Sequence, residues 1–551
     1  MTLRRFFDRN WLIVTNIIVV FVCIVVAFFI GTTPSSNPYD YPHQIIIGAR
    51  ALHGERPYAD YAVVYGPLGS YITAAGLWMM QSLPLIQGFN LLFVLWTSIY
   101  VLYFTWEASK LARRHPFVFS TLVIYIIALM PIIAHYSYYS LVSILMLVAA
   151  IQSSRSYFDL EGKSARNHIS LFILAAITVV TVLSRINFGA YILFSLALVT
   201  GLHLLVYKGG LWNSFARLVI LMFLLGTIAA ALLYFSGILV PYIQDMILFL
   251  PRYKARLLPI NISSTPLEIT LANALLIVVL VAAIDLISHK LFGSGLMGTI
   301  ILACLFQYCF QRLDVEHLYC VFLLLPFVCL AVQYDCDKSN SYAELAGTNE
   351  NGWSKLRLAN YILGTLLGLM LLIPVTYFNV TTQIIATTSN YWIYNYKNNR
   401  LFINDGMEIL ADEMKMLQQL AAEKDGDSEI FWGSLPGCCE STTQVGANLG
   451  LYLAQGRLPT TRIWYFDPCS TAHADIQQIL IKDLEAKQFK RIAMQGLINP
   501  SLGYLPGNPP ESRLFFDYVQ SKYTLRSRYV MPAANRYYDI YVRNEVKVPP
   551  K

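Results

Sequence analysis

Eleven apolar stretches occupy most of the first 377 residues of this 551-residue chain, at 11–30, 86–107, 117–134, 137–151, 169–184, 187–206, 214–235, 267–287, 293–310, 315–334 and 357–377. At about 15–25 residues each, they are long enough to cross a bilayer with some tilt, and a helix satisfies its own backbone there. The charges are placed to match. Residues 1–400 carry 40 of the 73 Asp, Glu, Lys and Arg, while the last 151 residues carry 33. Only 13% of the chain is charged, against about 25% in an ordinary soluble protein, which excludes a cytosolic enzyme. The pattern predicts a multi-pass α-helical membrane domain over 1–377, a linker over 378–400 and a C-terminal α/β domain over 401–551.

The net charge of +7 is not a nucleic-acid signal, because the last 151 residues balance 17 acids against 16 bases. The excess lies in the membrane part, where Lys and Arg mark cytoplasmic loops. The first apolar run follows Arg4, Arg5 and Arg9 and lacks a small-residue cleavage site, so it reads as a retained span with the N-terminus inside. The run 66–80 is short and glycine-rich. Laid against the surface, it leaves Lys110, Arg113, Arg114, Arg155, Lys163, Arg166, Lys208, Lys290, Lys355 and Arg357 inside. Segment 31–85 then becomes a long first external loop holding interfacial helices at about 41–54 and 66–82, and 236–266 becomes a second external loop. Everything after residue 377 falls on the external, periplasmic or extracellular, side.

In the outer domain, a polar amphipathic stretch, 401–423, reads as helical. Strands are expected at 429–433, 462–466 and 489–494, helices at 444–454, 472–485 and 513–520, and a hairpin from 523–529 and 537–543. No glycine-rich nucleotide fingerprint accompanies them. The nine cysteines form no C-x-x-C pair and no Cys/His cluster with metal spacing, so structural zinc is not expected. Cys438, Cys439 and Cys469 are the external ones, and no pairing follows from their spacing.

The chemistry-bearing residues gather at the external face. Asp40, in Asn37-Pro38-Tyr39-Asp40-Tyr41-Pro42-His43, stands where a helix starts and could simply cap it. A carboxylate between tyrosines near a membrane wall is also partly desolvated and suited to accept a proton. Asp60 lies in Ala59-Asp60-Tyr61, a turn or a second acid. Arg185, followed by Asn187 and Gly189, ends an apolar span, either as an interface anchor or as a functional charge. Gln311-Arg312-Leu313-Asp314-Val315-Glu316-His317 places four ionisable groups between two spans. On a helix, Asp314 and His317 share one face, so the carboxylate can orient the ring while Arg312 offers a fork to phosphate; a salt-bridged cap is the structural alternative. Arg252, Lys254 and Arg256, spaced two apart among apolar residues, suit a lipid phosphate or ordinary headgroup contact. A transporter needs broken or polar spans near the midplane; here the polar groups collect at one face instead.

At Asp40, Gly54-Glu55-Arg56-Pro57-Tyr58-Ala59-Asp60, Tyr65-Gly66-Pro67, Arg312-Leu313-Asp314-Val315-Glu316-His317-Leu318 and, less specifically, Gly456-Arg457-Leu458-Pro459-Thr460-Thr461-Arg462, the sequence resembles the GT-C superfamily of integral-membrane glycosyltransferases. Within it, the chain looks like bacterial members of the protein-mannosyltransferase and aminoarabinose-transferase type. The resemblance implies a polyprenyl-phosphate-linked sugar as donor, a glycan, lipid or protein hydroxyl as acceptor, and inverting transfer at the external face of the bacterial plasma membrane. It maps the family's first-loop acid onto Asp40 and leaves room for Asp60 to share the catalytic work; the chemistry of the residues themselves makes Arg185, Arg312, Asp314, His317, Lys254, Arg256, Tyr65 and His43 the substrate-binding candidates. Family members often carry an acidic pair where Tyr41 here follows Asp40. Some branches use a divalent metal (Mg or Mn), which Asp40 and Asp60 would hold, and others do not. The rival expectations are a lipid-linked oligosaccharide flippase, polymerase or ligase, and a non-catalytic glycan-binding subunit.

Overall fold

A computed structural model describes residues 18, 21, 40–63, 65–83, 85–112, 138–158, 165–207, 211–246, 266–311, 315–345, 411–423, 429–434, 449–464, 473–498, 513–532 and 536–544. The expected spans 117–134 and 357–377, all but two residues of 11–30, and the linker 378–400 lie outside the described residues. The chain divides into two units that interleave along the sequence. The first takes Ser82–Ala231 and Ser264–Phe402 after the N-terminal 33 residues; the second takes Pro34–Gln81, Leu232–Ser263 and Ile403–Lys551.

The helices at the start of the second unit are α1 (Asp40–Leu52) and α2 (Pro67–Met79). The first unit follows with α3 (Leu85–Ala112), α4 (Tyr138–Phe158), α5 (Ala165–Ser184), α6 (Ile186–Tyr207) and α7 (Leu211–Phe235). After a short helix α8 (239–246) come α9 (Pro266–Ser288), α10 (Ser294–Gln311) and α11 (Val315–Leu345). Among the described residues, α3, α4, α6, α7 and α11 contain apolar windows long enough to cross a membrane. Helix α7 buries only Leu211 and Leu218, leaving Phe223 at 72%, Leu232 at 66% and Phe235 at 85% exposure. A helix apolar all round and bare on most of its surface calls for lipid as its solvent.

Helix α10 packs against α4, α6, α9 and α11, and α11 also meets α3 and α4. Pro326 interrupts the hydrogen-bond ladder of α11. Close to the interruption, the Tyr100 hydroxyl of α3 donates to the Leu323 carbonyl at 2.7 Å, and Tyr100, Tyr103 and Phe104 pack around the Phe327 ring. Asp335 of α11 accepts from the Gly295 amide (2.7 Å) and the Ser294 hydroxyl (3.2 Å), capping the start of α10 from another helix. Glu107 of α3 pairs with Lys110 and, at 2.8 Å, with Arg155 of α4.

The C-terminal part of the second unit is a mixed four-stranded sheet, β1 (Ile430–Ser434), β2 (Arg491–Leu497), β3 (Tyr523–Met531) and β4 (Arg536–Arg543), in the order β1-β2-β4-β3. Strand β1 runs parallel to β2, and the other pairs are antiparallel. Its helices are α12 (Ala411–Ala422), α13 (Gly450–Ala454), α14 (Ala474–Lys487) and α15 (Leu514–Lys522). Phe515 of α15 and Phe489, which precedes β2, meet the Phe431 ring of β1. The strand expected at 462–466 is not formed where it is described: residues 461–464 make a bend outside the sheet. Its polar groups are taken elsewhere. The Arg462 amide donates to Asp483 at 2.5 Å, and its carbonyl accepts from the Ala62 amide at 2.8 Å.

Helix α12 is fixed through one buried carboxylate. Glu413, fully buried, accepts from the Tyr538 hydroxyl (2.5 Å) and pairs with the buried Arg536 at 3.1 Å, both on β4. Truncating one partner of a buried pair strands the other charge, which costs about 3–5 kcal/mol. Glu413→Ala is therefore expected to lower the unfolding midpoint of the sheet domain sharply, with Glu413→Gln in between. An unchanged midpoint in thermal unfolding would contradict this account.

Candidate functional site

In the second unit, chain segments hundreds of residues apart converge on two arginines. Helix α1 starts at Asp40, and a proline at its third position suits the first turn, where no amide partner is needed. It ends in a left-handed glycine, Gly54 (φ 87°), with the Glu55 amide returning to the Arg50 carbonyl at 3.0 Å. That reversal brings Glu55 back over the last turn of the helix. Arg50, 1% exposed, donates through Nε and Nη2 to Glu55 Oε2 at 2.7 and 2.5 Å. It also donates to the carbonyls of Thr461 (2.9 Å) and Asp60 (3.2 Å) and lies over the Tyr61 ring at 4.7 Å.

Arg462 is the second centre. Its Nη2 donates to Asp245 Oδ1 of α8 at 2.7 Å, and its Nε to the Tyr58 carbonyl at 3.2 Å. Tyr58 sits at φ 67°, an uncommon conformation for a bulky residue. Three contacts hold it there. Its amide bonds the Tyr61 carbonyl (2.7 Å), its hydroxyl donates to the Tyr65 carbonyl, and its ring meets Tyr242 edge-on at 4.9 Å. Trp464 completes the cluster, with Nε1 donating to the Ala62 carbonyl (3.3 Å) and its ring stacked on His43 at 5.0 Å.

Of the residues singled out in the sequence, Asp40 is the first residue of α1, and its side chain lies outside the described ones. His43 is buried between Trp464 and, at 6.2 Å, the edge of Tyr65; burial pushes its imidazole down to about 3, so the ring is neutral at physiological pH. Asp60 closes its turn on Arg56: Oδ2 accepts from the amide (2.7 Å) and Nε (3.1 Å), and Oδ1 from Nη2 (3.1 Å). These hydrogen bonds hold its carboxyl below the usual range. Arg185 belongs to the first unit, at the turn between α5 and α6. It is buried, donates to Ser140 Oγ at 2.9 Å and lies over the Phe188 ring. The turn is tight enough that any side chain at Gly189 would run into the Val182 backbone. Lys254, Arg256, Arg312 and Asp314 lie outside the described residues, and His317 is described only as backbone in α11.

Three residues the sequence reading passed over carry much of this cluster: Arg50, Trp464 and Asp245. Arg50 and Asp245 had a visible signal, each being a lone charge in an apolar window (IIIGARAL and YIQDMILF). Asp245 is 4% exposed, and its Oδ2 meets no donor among the described residues. Burial raises its carboxyl to about 6, while the charge of Arg462 and the hydrogen bond from it pull the other way.

The fold and this cluster define a class: a helical bundle with membrane-length helices in one unit, and a C-terminal mixed sheet with an arginine-centred polar cluster in the other. Among solved structures the chain is similar to ArnT from Cupriavidus metallidurans, crystallised with undecaprenyl phosphate, at a TM-score of 0.52 and 13% identity. The match covers 97% of this chain and 99% of that one, and at this identity it is a likeness of fold. No family model and no curated protein matches the chain.

Asp245 gives this site a pH signature. Its folded state holds the proton more tightly than the unfolded chain does. The stability this contributes is complete below the ordinary carboxylate range and is lost as pH rises through about 6. The whole effect is about 2–3 kcal/mol. Asp245→Asn is expected to flatten the pH–stability curve between about pH 4 and 6. Parallel curves for the two proteins would refute the assignment.

Proposed function

We propose that the protein is an inverting glycosyltransferase that moves a sugar from a polyprenyl-phosphate donor to a hydroxyl of a glycan, lipid or protein at the external membrane face. The observation that carries this reading is the fold likeness running almost end to end with a protein crystallised with undecaprenyl phosphate. The residues named in the first loop and around 312–317 add to it, because their chemistry is that of proton acceptance and phosphate binding. In this reading the N-terminus is cytoplasmic, and the first loop, the second loop and the C-terminal domain are external.

The reaction is a displacement. The acceptor oxygen attacks the anomeric carbon, its proton passes to Asp40, and the bond from that carbon to the phosphate oxygen breaks with its electron pair leaving on the lipid phosphate. Arg185, Arg312 and Lys254 or Arg256 stabilise the charge gathering there, an effect largest in a partly dry cleft. His317, oriented by Asp314, holds phosphate or sugar. His43 acts as a neutral ring beside Tyr65, both placed to shape the substrate-facing loop. A phosphate leaves without protonation, so the paired acid of a glycosidase is not required. Asp60 assists from the same loop through the turn it closes.

A divalent metal on Asp40 and Asp60 fits poorly with the folded loop. Arg56 donates to both oxygens of Asp60, and a metal there would have to displace it. No step of the reaction is routed through one.

Asp40→Asn is expected to lower transfer from a polyprenyl-phosphate sugar by about 10²-fold or more while leaving expression and the unfolding midpoint intact. A folded Asp40→Asn protein with full transfer would remove Asp40 from the role of base; a wild-type protein that binds glycan without any transfer would move the assignment to a glycan-binding subunit, and binding of lipid-linked oligosaccharide without transfer would favour the flippase, polymerase or ligase class.

A further inference from the structure

Asp245 combines features that a structural carboxylate rarely keeps together. Its Oδ1 is held at 2.7 Å by Arg462 Nη2, and Arg462 is itself anchored by Nε to the Tyr58 carbonyl, by its amide to Asp483 and by its carbonyl to the Ala62 amide. The carboxylate is therefore fixed in orientation. Its other oxygen, buried with the rest of the residue, meets no donor among the described residues. An unmet lone pair in a buried carboxylate is costly, and native proteins normally satisfy it or use it.

The surroundings narrow what would satisfy it. The negative charge already faces a guanidinium, so the vacant oxygen calls for a neutral donor. Tyr242 stands three residues earlier on the same face of α8, its ring against the edge of Tyr58. Aromatic lining with a few precisely placed polar groups is what small-molecule sites share.

We infer that Asp245 is a substrate-binding residue whose Oδ2 accepts a hydrogen bond from a sugar hydroxyl, with Arg462 positioning the carboxylate for it. The inference rests on the transfer reading above and names one group that recognises the carbohydrate.

The test measures binding by full-length protein in detergent, as wild type, Asp245→Ala and Asp245→Asn, to three probes: undecaprenyl phosphate, an undecaprenyl-phosphate hexose and a methyl hexoside. Asp245→Ala is expected to weaken binding of a hydroxyl-bearing probe about tenfold, and Asp245→Asn less, because its amide keeps an acceptor for Arg462. Loss for the hexose-bearing lipid with undecaprenyl phosphate unaffected places the hydroxyl on the donor. Loss confined to the methyl hexoside places it on the acceptor. Asp245→Asn keeps the side-chain volume, so it decides the matter if the alanine variant does not fold. Affinities unchanged by either variant for all three probes would overturn the inference. A wild-type protein that binds neither lipid would count against the transfer reading instead, with the methyl hexoside still deciding Asp245.

Discussion

A guanidinium cannot shed its charge, so a buried one must find acceptors for a planar fork of donors or the fold around it fails. Much of the second unit is organised by that requirement. Arg50 collects a carboxylate and two carbonyls, and Arg462 collects a carboxylate and a carbonyl while its own backbone is tied at both ends. Because the acceptors come from the first loop, from α8 and from the C-terminal part, satisfying the two arginines amounts to specifying how those segments meet. The left-handed backbone at Tyr58 and the closed turn of Asp60 lie between them, and the carbonyls of both residues are among the acceptors.

The cluster also keeps features that weaken a fold. Tyr58 occupies a conformation that glycine would adopt more readily, and Asp245 keeps a buried charge that burial opposes. Strain of both kinds tends to survive where a surrounding structure is used for binding or chemistry. The fully paired Asp60 is better behaved: its surroundings already satisfy it.

What the sequence made legible was whatever depends on neighbours in the chain. The long apolar runs that are described became helices, the last running on to Leu345, the loop helices formed at Asp40–Leu52 and Pro67–Met79, a strand formed at 430–434, and the hairpin of 523–531 and 536–543 followed its alternating pattern. The failure at 462–464 is instructive. A run of large side chains there read as a strand, but the backbone partners come from Ala62 and Asp483, which no local pattern encodes. Arg50 and Asp245 were hidden for the same reason: a single charge in an apolar window announces that a partner exists, not which one. For Asp40 and the 312–317 run, sequence chemistry still carries the argument.

The Arg50 contact to the Thr461 carbonyl spans 411 positions. A ribosome adding about 5–20 residues per second needs tens of seconds to cover that distance. Throughout that interval a newly made first loop holds a guanidinium without one of its final acceptors, and Glu55, five residues away, is the partner already present. The local ion pair can thus form long before the distant hydrogen bond, and a segment translated much later completes the set of acceptors around Arg50.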